Sequence, residues 1–281
     1  MGIPYEGARR ILATVRRLGL SGEALTLGRQ TILFTLDDLF QLFSERTLNG
    51  ELLYSCYTAE RLRPILDELM AKDELLSSDP VNRRAKYISD RAFFRLIGFD
   101  SLMALDKSNY ESADILYDLN LAEPPAELAG RFAMVYDGGT IEHVFHLPNV
   151  FRNVFHFLKI DGVVMHDAPT NNYIDHGFYQ ISPTLLVDYY CANRYFIEEC
   201  HLYYKVSPGS RAPWFMLEYR PGCLDETWQN GGADRNDSGL AACNYGTCFV
   251  ARKTQAARYD QVPDQGAFVH AWKKVHPATA M

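Results

Sequence analysis

The sequence predicts an α/β protein: a mainly parallel, seven-stranded sheet with helices on both faces, carried in a single domain over residues 1–281 with a helical insertion at about 34–86. Three observations lead there. Short apolar runs end on acids: residues 102–105 before Asp106, 115–117 before Asp118, 132–136 before Asp137, and 163–165 before His166 and Asp167. A helical segment separates the third and fourth of these runs, and apolar strands that alternate with helices belong in a parallel sheet covered on both faces. Two later extended runs, 195–205 and 243–252, complete the set.

The elements follow in order. Residues 8–20 (ARRILATVRRLGL) space Ile11, Leu12, Val15, Leu18 and Leu20 as the stripe of an amphipathic helix. Residues 23–27 form a short extended run that ends in Gly28. From Leu36 to Leu76 the pattern is that of several amphipathic helices, and SSDPVNRR (77–84) is a polar, proline-containing break. A helix over 91–97 stops at Gly98, a C-terminal cap. Further helices are expected over 148–158 and 185–193, with a turn at Asp161-Gly162. Two segments offer the first strand. ALTLG (24–28) runs straight into glycine, which the site chemistry favours; residues 86–89 need no insertion but supply no loop glycine.

Composition narrows the function. With 47% hydrophobic residues the chain carries enough apolar material for a full core, which excludes a disordered protein. A net charge of −7 argues against a nucleic-acid partner, and the aromatic run HLYYK (201–205) reads as packing on so acidic a chain. The glycine-rich stretch 225–239 lacks the strand-to-helix setting and Lys-Ser/Thr pair of a phosphate cradle, and reads as a surface loop. Six cysteines, at 56, 191, 200, 223, 243 and 248, form no zinc-binding spacing. No apolar run approaches the roughly 18 residues of a membrane span. The expectation is a soluble, cytoplasmic protein with free thiols and no structural metal.

The segments SLMALD, DILYDLN and FAMVYDGGTIEHVFHLPNVFRNVFHFLKIDGVVMHDAP, within residues 101–169, resemble the class I S-adenosylmethionine-dependent methyltransferases. The phrase EHV…P…FRNVFHFLKIDG looks like that family's strand 4, helix and strand 5 region, and NNYIDHGFYQISP resembles a bacterial subgroup associated with glycan and secondary-metabolite pathways. The resemblance implies a Rossmann-like methyltransferase fold whose last strand enters antiparallel, and S-adenosylmethionine as cofactor. It implies that Asp106 accepts hydrogen bonds from the ribose hydroxyls, a task suited to a two-oxygen acceptor. Asp118 matches the position that meets the adenine amino group, Leu119 offers a backbone amide and an apolar contact, and Asp137 lies beside the methionine part. Gly28 matches the first glycine of the family's loop. The loop departs from the pattern: Gln30 replaces the second glycine, and Thr26 stands where an acid is usual.

Methyl transfer from a sulfonium asks the protein mainly to align the nucleophile and remove its proton. Candidate bases lie after the fourth and fifth strands: Glu142, His143, His166, Asp167 and His176. His176 is preferred because Asn171, Asn172, Tyr173, Asp175, Tyr179 and Gln180 crowd donors and acceptors around it, which suits a polar small-molecule acceptor such as a sugar; Asx-type turns within the loop are the alternative. Glu142 and His143 are expected to orient the acceptor. No G-x-S-x-G elbow, Walker loop or dinucleotide fingerprint occurs, and a metal held by His143 and His146 would need ligands the sequence does not identify. As for partners, the chain is compatible with a homodimer.

Overall fold

The computed structural model describes residues 2–205, 209, 211–221 and 244–266. The chain divides into two units, residues 1–118, 131–138 and 207–213 in the first, and 119–130, 139–206 and 214–281 in the second.

The first unit contains β1 (Gly2–Ile3), α1 (Tyr5–Leu18), β2 (Glu23–Leu27), β3 (Thr31–Ile32), α2 (Leu36–Phe43), α3 (Ala59–Ala71), α4 (Pro80–Arg84), α5 (Asp90–Ile97), β4 (Ser101–Asp106), β5 (Ile115–Leu116) and β6 (Phe132–Asp137). Four strands lie in the order β5-β4-β2-β6, and every pair is parallel. Four of the five β2 residues and all six of β6 are buried, as strands covered on both faces require. The segment ALTLG therefore supplies a central strand. Residues 87 and 88 make only isolated bridges, to Thr35 and Leu76.

Local chemistry sets the helix ends. Gly19 and Gly98 close α1 and α5 in the left-handed conformation, at φ 62° and 117°. A reciprocal box between Thr35 and Asp38 opens α2. The short α4 falls in the polar stretch that composition reads as a break. There the Asp79 carboxylate accepts from the amides of Val81 and Asn82, and Pro80 starts the helix, so a cap overrides composition. Phe34, Phe93, Phe94, Phe99 and Tyr136 pack ring against ring in the core of this unit.

The second unit contains α6 (Leu147–Phe157), β7 (Leu158–Asn171), α7 (Pro183–Ala192), β8 (Phe196–Lys205), β9 (Trp214–Glu218) and β10 (Tyr245–Arg252). Its strands lie in the order β7-β10-β8-β9, with antiparallel pairing throughout. The antiparallel closing strand implied by the resemblance is β10, and the fold is α/β and Rossmann-like in its parallel strand order. The two sets hold eight strands rather than seven. The additional one, β9, pairs along β8 with Trp214 opposite Lys205 and is half exposed, so its sequence WFMLE has no clean alternation to announce it.

A second correction concerns β7, which does not stop at Met165. Pairing with β10 extends it to Asn171, through Pro169, with a register shift between Tyr245 and Gly246 beside that proline. Asp161-Gly162 lies inside the strand, with Asp161 at φ 62°. His166 and Asp167 are accordingly mid-strand. His166 is fully buried with Nε2 2.8 Å from the Tyr190 hydroxyl, and Asp167 accepts from the Tyr203 hydroxyl at 2.5 Å. The stretch 225–239 and the cysteines at 223 and 243 lie outside the described residues; Cys56, Cys191, Cys200 and Cys248 are free thiols. Among the described residues no helix is long and apolar enough to cross a membrane.

The last carbonyls of α6 find a partner far along the chain. Lys253, 7% exposed, donates from Nζ to the carbonyls of Phe155 (2.6 Å) and Leu158 (2.8 Å) and lies over the Phe155 ring. Burial lowers its pKa to about 8. The folded value lies below the ordinary lysine value of about 10.4, so between those limits the unfolded chain binds more protons and Lys253's contribution to stability rises with pH. Replacing Lys253 by Met should cost about 1.5–3 kcal/mol through the lost charged hydrogen bonds. In urea unfolding series, the wild type's advantage over the variant should widen as pH rises above about 8; an advantage that stays flat would contradict a buried, shifted lysine.

Candidate functional site

Register brings the strand ends of the first unit together. Leu27 pairs with Leu105 on one side and with Asp137 on the other, and Asp106 pairs with Leu116. Asp118, Asp106, Gly28 and Asp137 thus stand at or just past the carboxyl ends of β5, β4, β2 and β6. The chain runs outward from β2 to β4 and β5 and resumes on the other side at β6, so β2 and β6 flank a topological switch point, where open α/β sheets bind ligands.

Gly28 has φ 72°, a conformation that disfavours side chains, and its amide donates to the Leu105 carbonyl at 2.7 Å. Asp106 accepts from the Ser108 amide through Oδ1 at 2.9 Å. Asp118 forms an ion pair with Lys107 at 2.8 Å. Asp137 is fully buried. In the second unit, Leu119 is buried and its carbonyl accepts from the Asn153 side chain at 3.3 Å.

Gln30 occupies the switch point. It is 2% exposed, and its Nε2 donates to the carbonyls of Leu27 (3.1 Å) and Gly28 (3.3 Å). Those two bonds fix the amide's orientation and turn Oε1 toward Gly138, where a Cβ would lie 2.5 Å from it. That oxygen is buried without a hydrogen-bond partner among the described residues, and so is Thr26 Oγ1. An unsatisfied buried acceptor costs about 1–3 kcal/mol and marks a place where a donor would be welcome. The side chain that departs from the glycine pattern therefore both narrows the loop and offers it an acceptor.

Arg29 points elsewhere. Its guanidinium bonds Asp90 (3.1 Å), Asp114 (2.8 Å) and the Ser112 carbonyl (2.8 Å), pairing with neither Asp106 nor Asp137. Burial raises the Asp90 pKa against the pull of Arg29. Nearby, a cavity of about 570 Å³ is lined by residues that include Gln30, Asp79, Asn82, Asp90 and Tyr110.

In the second unit the structure brings Glu142, His143 and His176 together. Glu142, in the one-turn 3-10 helix Ile141–His143, is fully buried; its Oε1 lies 3.3 Å from His176 Nε2 and 3.7 Å from His143 Nε2. The imidazoles, roughly 40% exposed, lie 5.0 Å apart between ring centroids. The loop carrying His176 is pinned by backbone: the Tyr179 amide donates to the Glu142 carbonyl (3.2 Å) and the Tyr179 hydroxyl to the Phe145 carbonyl (2.7 Å). A Cβ at Gly177 would meet the Glu142 carbonyl oxygen at 2.9 Å and its Cγ at 3.0 Å. Tyr173 joins the group; burial, then Asp167 and Glu142, raise its pKa. Asn172 and Asp175 have φ near 61° and 67°, so part of the loop's polar content forms turns. Gly177 and Gln30 were not read as site residues. The sequence shows a glycine after His176 and an amide after Gly28, but not what either faces. His146 lies outside the cluster, its amide donating to Asn120.

No protein-family model matches the chain, and no curated protein matches it. Similar solved structures include a Haemonchus contortus phosphoethanolamine N-methyltransferase 2 in complex with S-adenosyl-L-methionine, at 13% identity over 90% of this chain and 54% of that one, with a TM-score of 0.39. This chain therefore spans about half the length of that enzyme. A S-adenosylmethionine-dependent methyltransferase from Clostridium acetobutylicum ATCC 824 is similar at 10% identity over 88% and 90% of the two chains, TM-score 0.33. The Burkholderia thailandensis 1,6-didemethyltoxoflavin-N1-methyltransferase is similar at 11% identity over 89% and 80%, TM-score 0.32. Likenesses this distant say nothing of substrate or residue roles.

Arg29 gives a direct test of the loop. Arg29→Met leaves Asp90 buried beside a neutral side chain and should destabilise the protein by about 3–5 kcal/mol at pH 7. Without Arg29 the folded-state pKa of Asp90 rises further above the unfolded value, so the deficit should shrink as pH falls toward 5 and Asp90 takes up a proton. Denaturant unfolding at the two pH values measures it; a deficit under 1 kcal/mol, by the scale of exposed pairs, would mean the pair is solvent-screened.

Proposed function

We propose that this protein transfers a methyl group from S-adenosylmethionine to an oxygen or nitrogen of a polar small molecule, such as a sugar or a secondary metabolite. The observation that carries the reading is the buried Gln30 Oε1, without a hydrogen-bond partner among the described residues, in the loop after β2, whose last residue Leu27 pairs with Leu105 and Asp137. The residues fit the cofactor. Gly28 keeps the backbone accessible, Asp106 is the acceptor for the ribose hydroxyls, Asp118 exchanges Lys107 for the adenine amino group, and Gln30 Oε1 with Asp137 suits the cationic end of the methionine part. When bound, the cofactor supplies an activated methyl on a sulfonium. The protein's work is to hold the reactants in line and accept the acceptor's proton. His176 takes that proton at Nδ1, the ring nitrogen turned away from Glu142, and Glu142 and His143 orient it. Residues 34–86 serve as a cap on the first unit, consistent with the cavity their side chains share with Gln30.

A second reading, a methyltransferase-like scaffold without cofactor, is favoured by the same Gln30 side chain, because it fills space beside Gly28. Calorimetry separates the two. Under the first reading the folded protein binds S-adenosylmethionine and S-adenosylhomocysteine, and Asp106→Ala weakens binding roughly tenfold or more, as loss of bonds to a charged acceptor would. Wild-type protein giving no heat with either compound selects the scaffold.

A further inference from the structure

We infer that Glu142, His143 and His176 form a divalent transition-metal site with open positions for an acceptor molecule. The three ligating atoms lie within 4.8 Å of one another. Two neighbouring ligands on a tetrahedral zinc-type ion, with bonds of about 2.0–2.1 Å, are separated by about 3.3–3.4 Å. The Glu142 Oε1 to His176 Nε2 distance is 3.3 Å and that to His143 Nε2 is 3.7 Å. Both imidazoles turn the same nitrogen toward the same oxygen. The one remaining approach, between the two histidines, closes by rotation of side chains that are both at the surface.

The donor set selects the ion. Two imidazoles and one carboxylate suit zinc, iron(II), cobalt or nickel, whereas magnesium and calcium prefer oxygen alone. Burial is distributed as a reactive site needs: the carboxylate is fully enclosed, and the histidines form a solvent-facing rim by which an ion enters and a substrate oxygen completes the coordination. The surrounding backbone is built to keep the carboxylate and His176 close. Tyr179 ties the loop to the Glu142 carbonyl, and Gly177 is the position at which a methyl group would push the loop away from Glu142.

The proposal of an ion is argued from this geometry; only its task rests on the methyl-transfer reading. In that task an acceptor hydroxyl bound to the ion becomes more acidic and loses its proton to solvent, and the resulting oxygen attacks the methyl as the carbon–sulfur bond breaks, its electron pair passing to sulfur. His176 is then a ligand and no longer the proton's destination.

The test uses full-length, untagged protein stripped with chelator and titrated calorimetrically with zinc and with cobalt. One ion should bind per chain. His143→Ala and His176→Ala, at exposed positions where folding is least at risk, should each weaken it by more than about 100-fold, beyond the 10-to-100-fold typical of losing an outer-shell partner. Gly177→Ala, which keeps every ligand but displaces the loop, should weaken it as well, and His156→Ala, outside the cluster, should leave it unchanged. Circular dichroism of each variant confirms that it is folded. Absence of binding to wild-type protein, or binding insensitive to both His143→Ala and His176→Ala, overturns the inference. Because S-adenosylmethionine binding is measured separately, failure here leaves the cofactor reading standing, and failure of the cofactor leaves the metal site standing.

Discussion

The hydrogen bonding of β2 on both of its edges is the constraint from which the first unit follows. A parallel strand cannot be joined to its neighbour by a tight turn, so each step away from β2 must be made through a crossover. Each crossover returns the chain to the same end of the sheet, and the acids that finish β4 and β6, with Asp118 just past β5, consequently stand at the same end as Gly28. The burial of β2 and β6 along their lengths is the same fact seen from the side chains.

Much of this was legible because its cause is local. At β4 and β6 an apolar run ended by an acid states where the strand stops, and glycines at 19 and 98 state where helices stop, through backbone conformations that other residues resist. What escaped depends on partners distant in sequence. The length of β7 is set by β10, so a proline that reads as a terminator is carried inside a strand at an irregular register. The position of β9 is set by β8 rather than by its own pattern. Asp79 outweighed the polar composition around it because a cap is one side chain, invisible to an average over eight.

The candidate sites divide in the same way. That Glu142, His143 and His176 were of interest was readable from residue type and from their place after the fourth and fifth strands. That a buried carboxylate would face two surface imidazoles was not, since burial of Glu142 and the docking of the His176 loop arise from contacts across more than thirty positions. Gln30 teaches the converse lesson. A substitution in a glycine pattern looks like damage on the page, yet the folded amide satisfies two carbonyls and leaves one acceptor turned to the switch point.

The tie between Lys253 and the end of α6 bears on how the chain is made. The two carbonyls it serves lie 98 and 95 residues earlier, and the β10 edge partner of β7 comes from residues 245–252. A ribosome adds about 5–20 residues each second, so α6 and β7 wait several seconds after leaving the exit tunnel before the groups that complete them exist. The β5-β4-β2-β6 set is whole once residue 137 has been synthesised. Until residues 245–252 have been made, the β7 edge that pairs with β10 lacks that partner, and an unpaired strand edge is a template for association with other chains.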